Sequence, residues 1–305
     1  DHRDLHLSLR RQRQMCIRDR IRLRKSLFLS MLFLTMISLL GCTQEQSSKS
    51  SIAAPVVSSD PPDLSGIWQT MNTASWNLEG HTASKMPVTN ILGALGGIPA
   101  GMSVVEGGEI PYLPEALERR DQNRSDWTNL DPVAKCYIPG VPRSTYMPWP
   151  FQILQTDTEI FIAYEFGSNS RTIFMDRPGT EAPLPSWMGY SLGHWENETL
   201  VVNVTKQVPD TWLDASGNYH GADLVVEERY TLVDENRIQY EATIDDPDVF
   251  SRPWTIKIPL YRRMEDGARL LEYKCVEFGE DLLYDHLRRG YDGPKALDGS
   301  VREDA

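Results

Sequence analysis

The sequence predicts a mainly β domain, in which an antiparallel meander closes into a barrel or a strongly curved sheet with few short helices. From Phe151 onward, apolar and polar residues alternate with period two, as in strands that bury one face. Turns of only a few residues join these segments, and such turns connect antiparallel neighbours. The helical crossovers that a parallel sheet requires are missing from the sequence, which argues against an α/β fold.

About nine or ten strands are predicted. Three of them span residues 66–70, 171–176 and 188–195. The others are marked by residues that share one face: Ile160, Ile162, Tyr164 and Phe166; Leu200, Val202 and Val204; Leu224, Val226, Tyr230 and Leu232; Ile238, Tyr240, Ala242 and Ile244; Trp254, Ile256, Ile258 and Leu260; and Leu271, Tyr273 and Cys275. Their order along the chain favours a meander closed into a barrel.

The first strand contains Gly66 and Trp68, and a Gly-x-Trp opening strand resembles that of lipocalin-like barrels. Residues 71–150 are rich in Gly, Pro and Asn and lack a sustained period, so we expect long ordered loops over one end of the domain. Short helices are predicted over residues 114–123, with proline at the first position, and over 279–289.

The N-terminal region has the pattern of a lipoprotein signal peptide. Basic residues at 20–25 precede an apolar run over 26–40, which is short for a membrane span. The run ends in Leu39-Leu40-Gly41-Cys42, which resembles the lipobox of bacterial lipoproteins. The resemblance implies cleavage before Cys42 and attachment of lipid to this residue; an ordinary signal peptide is the alternative.

The predicted organisation therefore has five parts. Residues 1–19, which include "MCIRDR", resemble translated sequencing adaptor or form an unstructured leader, and residues 20–41 are the signal peptide. Residues 42–62 form a flexible tether, because a polar Ser- and Pro-rich segment cannot bury a core. Residues 63–290 form one β-rich domain, and residues 291–305 an acidic disordered tail.

Charge and cysteine content restrict the partners. Residues 1–41 carry nine basic and three acidic side chains, so removing them leaves 22 basic and 40 acidic ones and a formal charge of −18. Such an acidic chain repels nucleic acid, and the expected partners are a lipid bilayer, through Cys42, and a small molecule. Thr43 is not the aspartate that retains some lipoproteins at the inner membrane, so we expect the periplasmic face of the outer membrane. In this oxidising compartment Cys136 and Cys275 are predicted to form a disulfide, and two free buried thiols are the alternative.

Common catalytic and cofactor motifs are missing from the sequence. There is no P-loop, no Gly-x-Gly-x-x-Gly, no His-Glu-x-x-His and no paired CxxC. Asp245, Asp246 and Asp248 lie close together, but their spacing differs from that of a calcium-binding EF-hand. The sequence therefore predicts no metal site and no cofactor.

The stretch "DTWLDASGNYHGADLVVEERY" contains the strongest catalytic candidates, Asp214, His220 and Glu228. A histidine beside a carboxylate is a common way to orient a general base. Alternation places Glu228 on the inward face, where a carboxylate requires a partner, with Arg252, Arg262 and Lys274 as candidates. The alternative interpretation is a polar hairpin tip followed by a structural ion pair.

Two functional hypotheses follow. In the first, the barrel binds a small apolar or glycan-derived ligand, with Trp212, Tyr190, Trp187 and Trp254 as binding residues. In the second, the protein is a secreted hydrolase, lyase or isomerase that uses the three candidate residues as acid–base groups. A scaffold lipoprotein without a ligand, which would have a fully packed barrel, is a third possibility.

Five segments together resemble an uncharacterised family of secreted bacterial proteins. They are "DPVAKCYIPGVPR", "MPWPFQILQT", "WMGYSLGHWENETLVV", "TWLDASGNYHGADLVVEERY" and "IDDPDVFSRPWTIKIPL". The resemblance as a whole covers about residues 110–278. The resemblance implies no particular activity. The chain departs from the family pattern at Asn218, Gly221 and Ala222, which replace polar residues of the loop, and at Tyr190, which replaces a histidine. These replacements argue against this protein sharing a catalytic role with the family; if the family is enzymatic, this member is expected to be altered or inactive.

Overall fold

A computed structural model describes residues 61–86 and 97–273 together with Cys275. The predictions for the leader, the signal peptide and Cys42 lie outside the described residues, as do those for the helix over 279–289 and the acidic tail. Among the helices of the described part, none is both long enough and apolar enough to span a bilayer.

The described part of the chain contains eleven strands and three short α-helices. The strands are β1 (Gly66–Thr70), β2 (Ser84–Lys85), β3 (Gly97–Ile98), β4 (Phe151–Gln155), β5 (Glu159–Tyr164), β6 (Asn169–Met175), β7 (Tyr190–Glu196), β8 (Thr199–Thr205), β9 (Val225–Asp234), β10 (Arg237–Asp245) and β11 (Trp254–Arg262). The helices are α1 (Pro114–Ser125), α2 (Trp127–Leu130) and α3 (Arg143–Tyr146), and short 3₁₀ helices span Pro132–Lys135 and Phe166–Ser168.

Nine of the described strands form a closed barrel in the order β1-β11-β10-β9-β8-β7-β6-β5-β4, with β4 pairing back to β1. The predicted mainly β barrel is thus confirmed, and β2 and β3 form a separate two-stranded sheet. The predicted helix over 114–123 is α1, which begins at Pro114 because proline at the first helical position has no hydrogen bond to lose.

One strand pair departs from the predicted antiparallel meander, because β6 and β7 are parallel. Around any closed ring of strands, the chain direction must reverse an even number of times. A ring of nine strands therefore cannot be antiparallel throughout, and here eight antiparallel pairs are completed by one parallel pair. The connection over residues 176–189 allows this pairing, since it returns the chain to the end at which β6 began.

The alternating pattern places the core as predicted. On β9 from Val226 to Tyr230 and along β10, every second residue points into the barrel and is at most 1% exposed: Val226, Glu228, Tyr230, Ile238, Tyr240, Ala242 and Ile244. The predicted last strand was wrong, because Leu271 and Tyr273 lie in irregular structure. The predicted disulfide is confirmed: it joins Cys136 to Cys275, with 5.4 Å between their Cα atoms.

Strand direction gathers the long connections at one end of the barrel. β1 and β5 end where β4 begins, because β4 is antiparallel to both. Following the pairings around the ring, the connections over residues 71–150, 206–224 and 246–253 all lie at this end, which we call the loop end. The opposite end has the tight turns over residues 156–158, 197–198 and 235–236, and the connection over 176–189 starts there before it runs back to the loop end. The loop end is therefore where a site can be assembled.

Candidate functional site

The barrel interior holds a buried ion pair between Arg171 on β6 and Glu228 on β9. Arg171 Nη1 donates to Glu228 Oε2 at 2.6 Å, and Nη2 donates to Oε1 at 2.9 Å. The hydroxyl groups of Tyr230 and Tyr240 donate to the same Oε1 at 3.0 and 2.8 Å. Glu228 is 0% exposed and Arg171 is 5% exposed. The inward carboxylate predicted from alternation is present and fully paired.

The network extends to neighbouring hydroxyl groups. Arg171 Nε donates to the Tyr164 hydroxyl oxygen at 3.1 Å, and Nη2 donates to that of Tyr230 at 3.0 Å. Burial disfavours the charged guanidinium, but Glu228 and the tyrosines outweigh this and raise the pKa of Arg171 well above its usual value. Burial and the Glu228 carboxylate also raise the pKa of Tyr230 and Tyr240. The pair therefore acts as a cross-link between β6 and β9.

The partner of Glu228 is not among the three residues that the sequence predicted. Arg252 donates to the carbonyl of Pro253 at 3.2 Å, and Arg262 lies over the ring of Trp68, 4.3 Å from its centroid. Lys274 lies outside the described residues. Alternation tells which face of one strand a residue occupies, but it does not tell which residue of a distant strand lies opposite.

Asp214 lies in the connection between β8 and β9, and its side chain is fully buried. Its Oδ2 accepts from the Leu78 amide at 2.8 Å and from Asn218 Nδ2 at 2.6 Å. Its Oδ1 accepts from the amides of Ser216 and Asn218 at 2.8 and 3.3 Å. Burial raises the pKa of Asp214 to about 6, although these hydrogen bonds and Arg143 act against the rise. Asp214 thus fastens the 206–224 connection to the start of the long 71–150 connection.

His220 is buried in the same connection, and both of its ring nitrogens are occupied. Nδ1 lies 2.8 Å from the carbonyl oxygen of Gly221, and Nε2 lies 2.6 Å from the hydroxyl oxygen of Thr211. Because a carbonyl only accepts, Nδ1 carries the hydrogen, and Nε2 accepts from the threonine hydroxyl. Burial lowers the pKa of His220, so the neutral ring is favoured. Its hydrogen bonds join neighbouring parts of one loop.

The structure does not bring the three catalytic candidates into contact. Within the described residues, Asp214 bonds to Asn218 and to backbone amides, His220 bonds to Thr211 and Gly221, and Glu228 bonds to Arg171 and two tyrosines. Glu228 lies inside the barrel, whereas the other two belong to a connection at the loop end. General acid–base catalysis requires groups that reach one substrate atom, and this arrangement provides no such pair.

Two of the four predicted ligand-binding residues share a cleft. Trp187 and Trp212 line a cleft of about 390 Å³, in which the Tyr137 ring stacks on Trp187 with centroids 5.0 Å apart; we call it the Trp187 cleft. Tyr190 instead packs against Phe174 with centroids 5.4 Å apart. Trp254 is 3% exposed and packs edge-on against Phe250. The four residues therefore do not form one site.

A second group of aromatic side chains encloses a more apolar space at the loop end. A cavity of about 290 Å³ is lined by Trp76, Trp127, Trp149, Phe166 and Tyr273, and we call it the aromatic cavity. Trp76 and Trp127 meet edge to face with centroids 5.9 Å apart. Trp149, Phe166 and Tyr273 form a separate group, with centroids 4.8 to 5.5 Å apart. The three tryptophans are half-buried, so their rings retain surface for a ligand.

A buried ion pair completes the lining of the aromatic cavity. Arg143 on α3 donates from Nη1 and Nη2 to the two carboxylate oxygens of Asp131, both at 2.7 Å. Asp131 is 1% exposed and Arg143 is 2% exposed, and Arg143 Nε has no hydrogen-bond partner among the described residues. Burial disfavours the charged form, but Asp131 and Asp214 outweigh this and raise the pKa of Arg143. The guanidinium is therefore charged, and its charge is matched within the protein.

The disulfide attaches the C-terminal side of the described chain to this cavity. Cys275 lines the cavity, and its partner Cys136 directly follows the 3₁₀ helix Pro132–Lys135. The carbonyl of Tyr273 also accepts a hydrogen bond from the Ser168 hydroxyl at 3.0 Å. The disulfide and this hydrogen bond hold Tyr273 beside Trp149 and Phe166. The oxidised state thus contributes to the shape of the cavity.

The aromatic cavity was missed by the sequence analysis. Trp76, Trp127 and Trp149 belong to the 71–150 connection, where no period predicts which residues face each other. The only signal was the tryptophans themselves, since a bulky aromatic in a polar connection often lines a pocket. Among the described residues, no group of three or more His, Cys, Asp or Glu side chains is arranged to hold a metal ion.

A comparison of the chain with protein-family models, with curated proteins and with solved structures finds no match.

Proposed function

We propose that the protein is an exported, lipid-anchored binding protein, whose barrel domain holds a small, largely apolar ligand in the aromatic cavity. The observation that carries the proposal is the convergence of three half-buried tryptophans with Phe166 and Tyr273 on one cavity at the loop end. Aromatic rings provide large, rigid contact surfaces, and small-molecule sites are typically concave and mainly apolar with a few placed polar groups. Here the polar group is the Asp131–Arg143 pair.

The aromatic cavity supports ligand binding better than the barrel interior does. Lipocalin-like barrels, which the opening strand resembles, hold one small ligand inside the barrel. In this chain Arg171, Glu228 and two tyrosines meet within the barrel and are almost completely buried. A ligand entering there would have to separate a paired charge from its partner, which costs several kcal/mol, roughly 3–5 in comparable cases.

Other clefts support the proposal less well. A larger cleft of about 810 Å³ shares Trp76 and Trp127 with the aromatic cavity, but its remaining lining is mostly polar and includes Glu79, His81 and Lys85. The Trp187 cleft includes the charged side chains of Arg119 and Asp210. Apolar composition is typical of pockets that bind small molecules tightly, so the aromatic cavity is the better candidate.

The lipid anchor is proposed from the N-terminal sequence. The basic cluster, the apolar run and Leu39-Leu40-Gly41-Cys42 support export and lipid attachment at Cys42. The chain should carry a fatty-acid label in bacterial cells and partition into a detergent phase. Cys42→Ser should abolish both properties, whereas the matched variant Cys16→Ser should retain them. Labelling that persists in Cys42→Ser would refute the anchor.

Binding is tested with indole, a small neutral aromatic probe, by calorimetry on the purified chain. Trp149→Leu removes one wall of the cavity and should weaken indole binding by about tenfold or more, which corresponds to about 1.4 kcal/mol. Trp187→Leu makes the same replacement outside the cavity and should leave the affinity within about twofold. Equal affinities for Trp149→Leu and the unmodified chain, with unchanged unfolding curves, would refute the proposed site.

A further inference from the structure

We infer that the ligand is a small organic cation with a methylated ammonium group, because aromatic rings line a cavity in which Arg143 is already paired with the Asp131 carboxylate. The inference rests on the proposed function, since it names the ligand class of the aromatic cavity. Three features carry it: the five rings of the wall, the balance of buried charges beside them, and the acidity of the chain.

The rings suit a cation that cannot donate hydrogen bonds. A quaternary ammonium group has no N–H, so it gains little from carboxylate hydrogen bonds and is held instead by the electron-rich faces of aromatic rings. Tryptophan is the strongest partner in such contacts, and three of the five rings of the cavity are tryptophans. Cation–π contacts are strongest when the cation is desolvated, as it would be inside this cavity. The half-buried Trp76, Trp127 and Trp149 provide this surface.

The buried charges disfavour an anionic ligand. Both Nη atoms of Arg143 are bound to Asp131 at 2.7 Å, so the guanidinium has no unmatched charge to offer to a ligand carboxylate. Asp214 is a second buried carboxylate within electrostatic range of Arg143. With both carboxylates ionised, the three groups carry a net charge of −1, which attracts a cation and repels an anion.

The remaining polar group points to an oxygen on the ligand. Arg143 lines the cavity, and in the part of the chain that the structure describes its Nε has no hydrogen-bond partner. A buried donor without a partner is unfavourable, and a neutral hydroxyl or carbonyl oxygen of the ligand would satisfy it. The acidic chain, with a formal charge of −12, also raises the local concentration of cations. The ligand class is therefore a methylated ammonium compound with a neutral oxygen, of which choline is the simplest probe.

A matched pair of probes separates charge from shape. Choline and 3,3-dimethylbutan-1-ol have nearly the same shape and the same hydroxyl group, but only choline is charged. Calorimetry on the purified chain should show choline binding about tenfold or more tightly than the neutral probe. Trp149→Leu should remove this preference, and Trp187→Leu should retain it.

The outcomes distinguish the inference from the proposed function. If the neutral alcohol binds as tightly as choline, or if indole binds while choline does not, the ligand class is wrong and the aromatic site stands. If choline, the neutral alcohol and indole all fail to bind to a chain with a cooperative unfolding transition, the proposed function itself is refuted. Choline binding that is lost in Trp187→Leu but not in Trp149→Leu would overturn both assignments to the aromatic cavity.

Discussion

Arg171 and Glu228 meet inside the barrel, and both guanidinium Nη atoms donate to the two carboxylate oxygens at 2.6 and 2.9 Å. Two tyrosine hydroxyls complete the coordination of the carboxylate. β6 and β9, which are not neighbours in the barrel, are thereby joined through its interior. The residue that sequence analysis singled out as a catalytic candidate therefore has a structural role in the fold.

Removing one member of this pair should strongly destabilise the protein. Glu228→Gln leaves a buried arginine without its counter-charge, so we expect the free energy of unfolding to fall by about 3–5 kcal/mol. The double variant Arg171→Met/Glu228→Leu should lose less than Glu228→Gln, because no buried charge then remains. Urea unfolding followed by circular dichroism measures both.

The control for this prediction is the neighbouring Arg229. This side chain points outward and pairs with the exposed Glu196 at 2.7 Å, so Arg229→Ala should cost no more than about 1 kcal/mol. A Glu228→Gln variant that is as stable as Arg229→Ala would show that the buried pair is not a major support of the barrel.

Asp214 should make stability depend on pH in an unusual direction. Its pKa rises from 3.8 to about 6 on folding, so the folded state holds the proton more tightly. The stabilising contribution is therefore complete below about pH 4 and is lost as the pH rises through about 6. Relative to Asp214→Asn, the unmodified chain should therefore lose roughly 3 kcal/mol of unfolding free energy as the pH rises from about 4 to about 7. Urea unfolding of both chains at several pH values measures this, and a constant difference would contradict it.

His220 should stay neutral at mildly acidic pH values at which a free imidazole is already protonated. Burial lowers its pKa from 6.5, so its contribution to stability is present above that pH and is lost as the pH falls through the folded pKa. Its hydrogen bonds predict that the ring hydrogen is on Nδ1 and that Nε2 is unprotonated and accepts a hydrogen bond from the Thr211 hydroxyl. Nitrogen-15 NMR of the imidazole measures both the tautomer and the titration. A doubly protonated ring at neutral pH would contradict the buried neutral histidine.

The Cys136–Cys275 disulfide should support both stability and binding. It closes a loop of 139 residues, for which the chain-entropy model gives a stabilisation of about 5 kcal/mol. Cys136→Ser/Cys275→Ser should lower the unfolding midpoint, and it should also weaken indole binding, because Tyr273 is held beside the cavity through Cys275. The variant Cys42→Ser serves as the control, since Cys42 precedes the barrel domain and its substitution should change neither quantity. Unchanged indole affinity in the double variant would show that the disulfide does not shape the cavity.

Most of the barrel could be predicted from the sequence, because its strands bury one face and period-two alternation records burial directly. The pattern placed Glu228, Tyr230 and Tyr240 inside without knowledge of the fold. It did not predict the parallel pairing of β6 with β7, because the direction of a long connection such as 176–189 is set by barrel closure rather than by local residues. The alternation of Leu271 and Tyr273 predicted a further strand, but these residues lie in irregular structure and belong to none of the nine barrel strands described.

The candidate site was harder to predict than the fold. Trp76, Trp127 and Trp149 meet only because β1 and β4 pair, and because the long connection between them folds over the loop end. Hydrogen bonds between distant segments, such as that from the Leu78 amide to Asp214, fix this arrangement and leave no periodic trace in the sequence. The stretch around Asp214 and His220 suggested a reactive site because buried structural polar groups and catalytic groups use the same residue types.

The position of bound indole in a crystal structure tests the central claim most directly. The account predicts electron density for indole within the aromatic cavity, in contact with Trp76, Trp127 and Trp149, while the Arg171–Glu228 pair stays intact. Indole bound inside the barrel beside Glu228, or in the Trp187 cleft with the aromatic cavity empty, would contradict it.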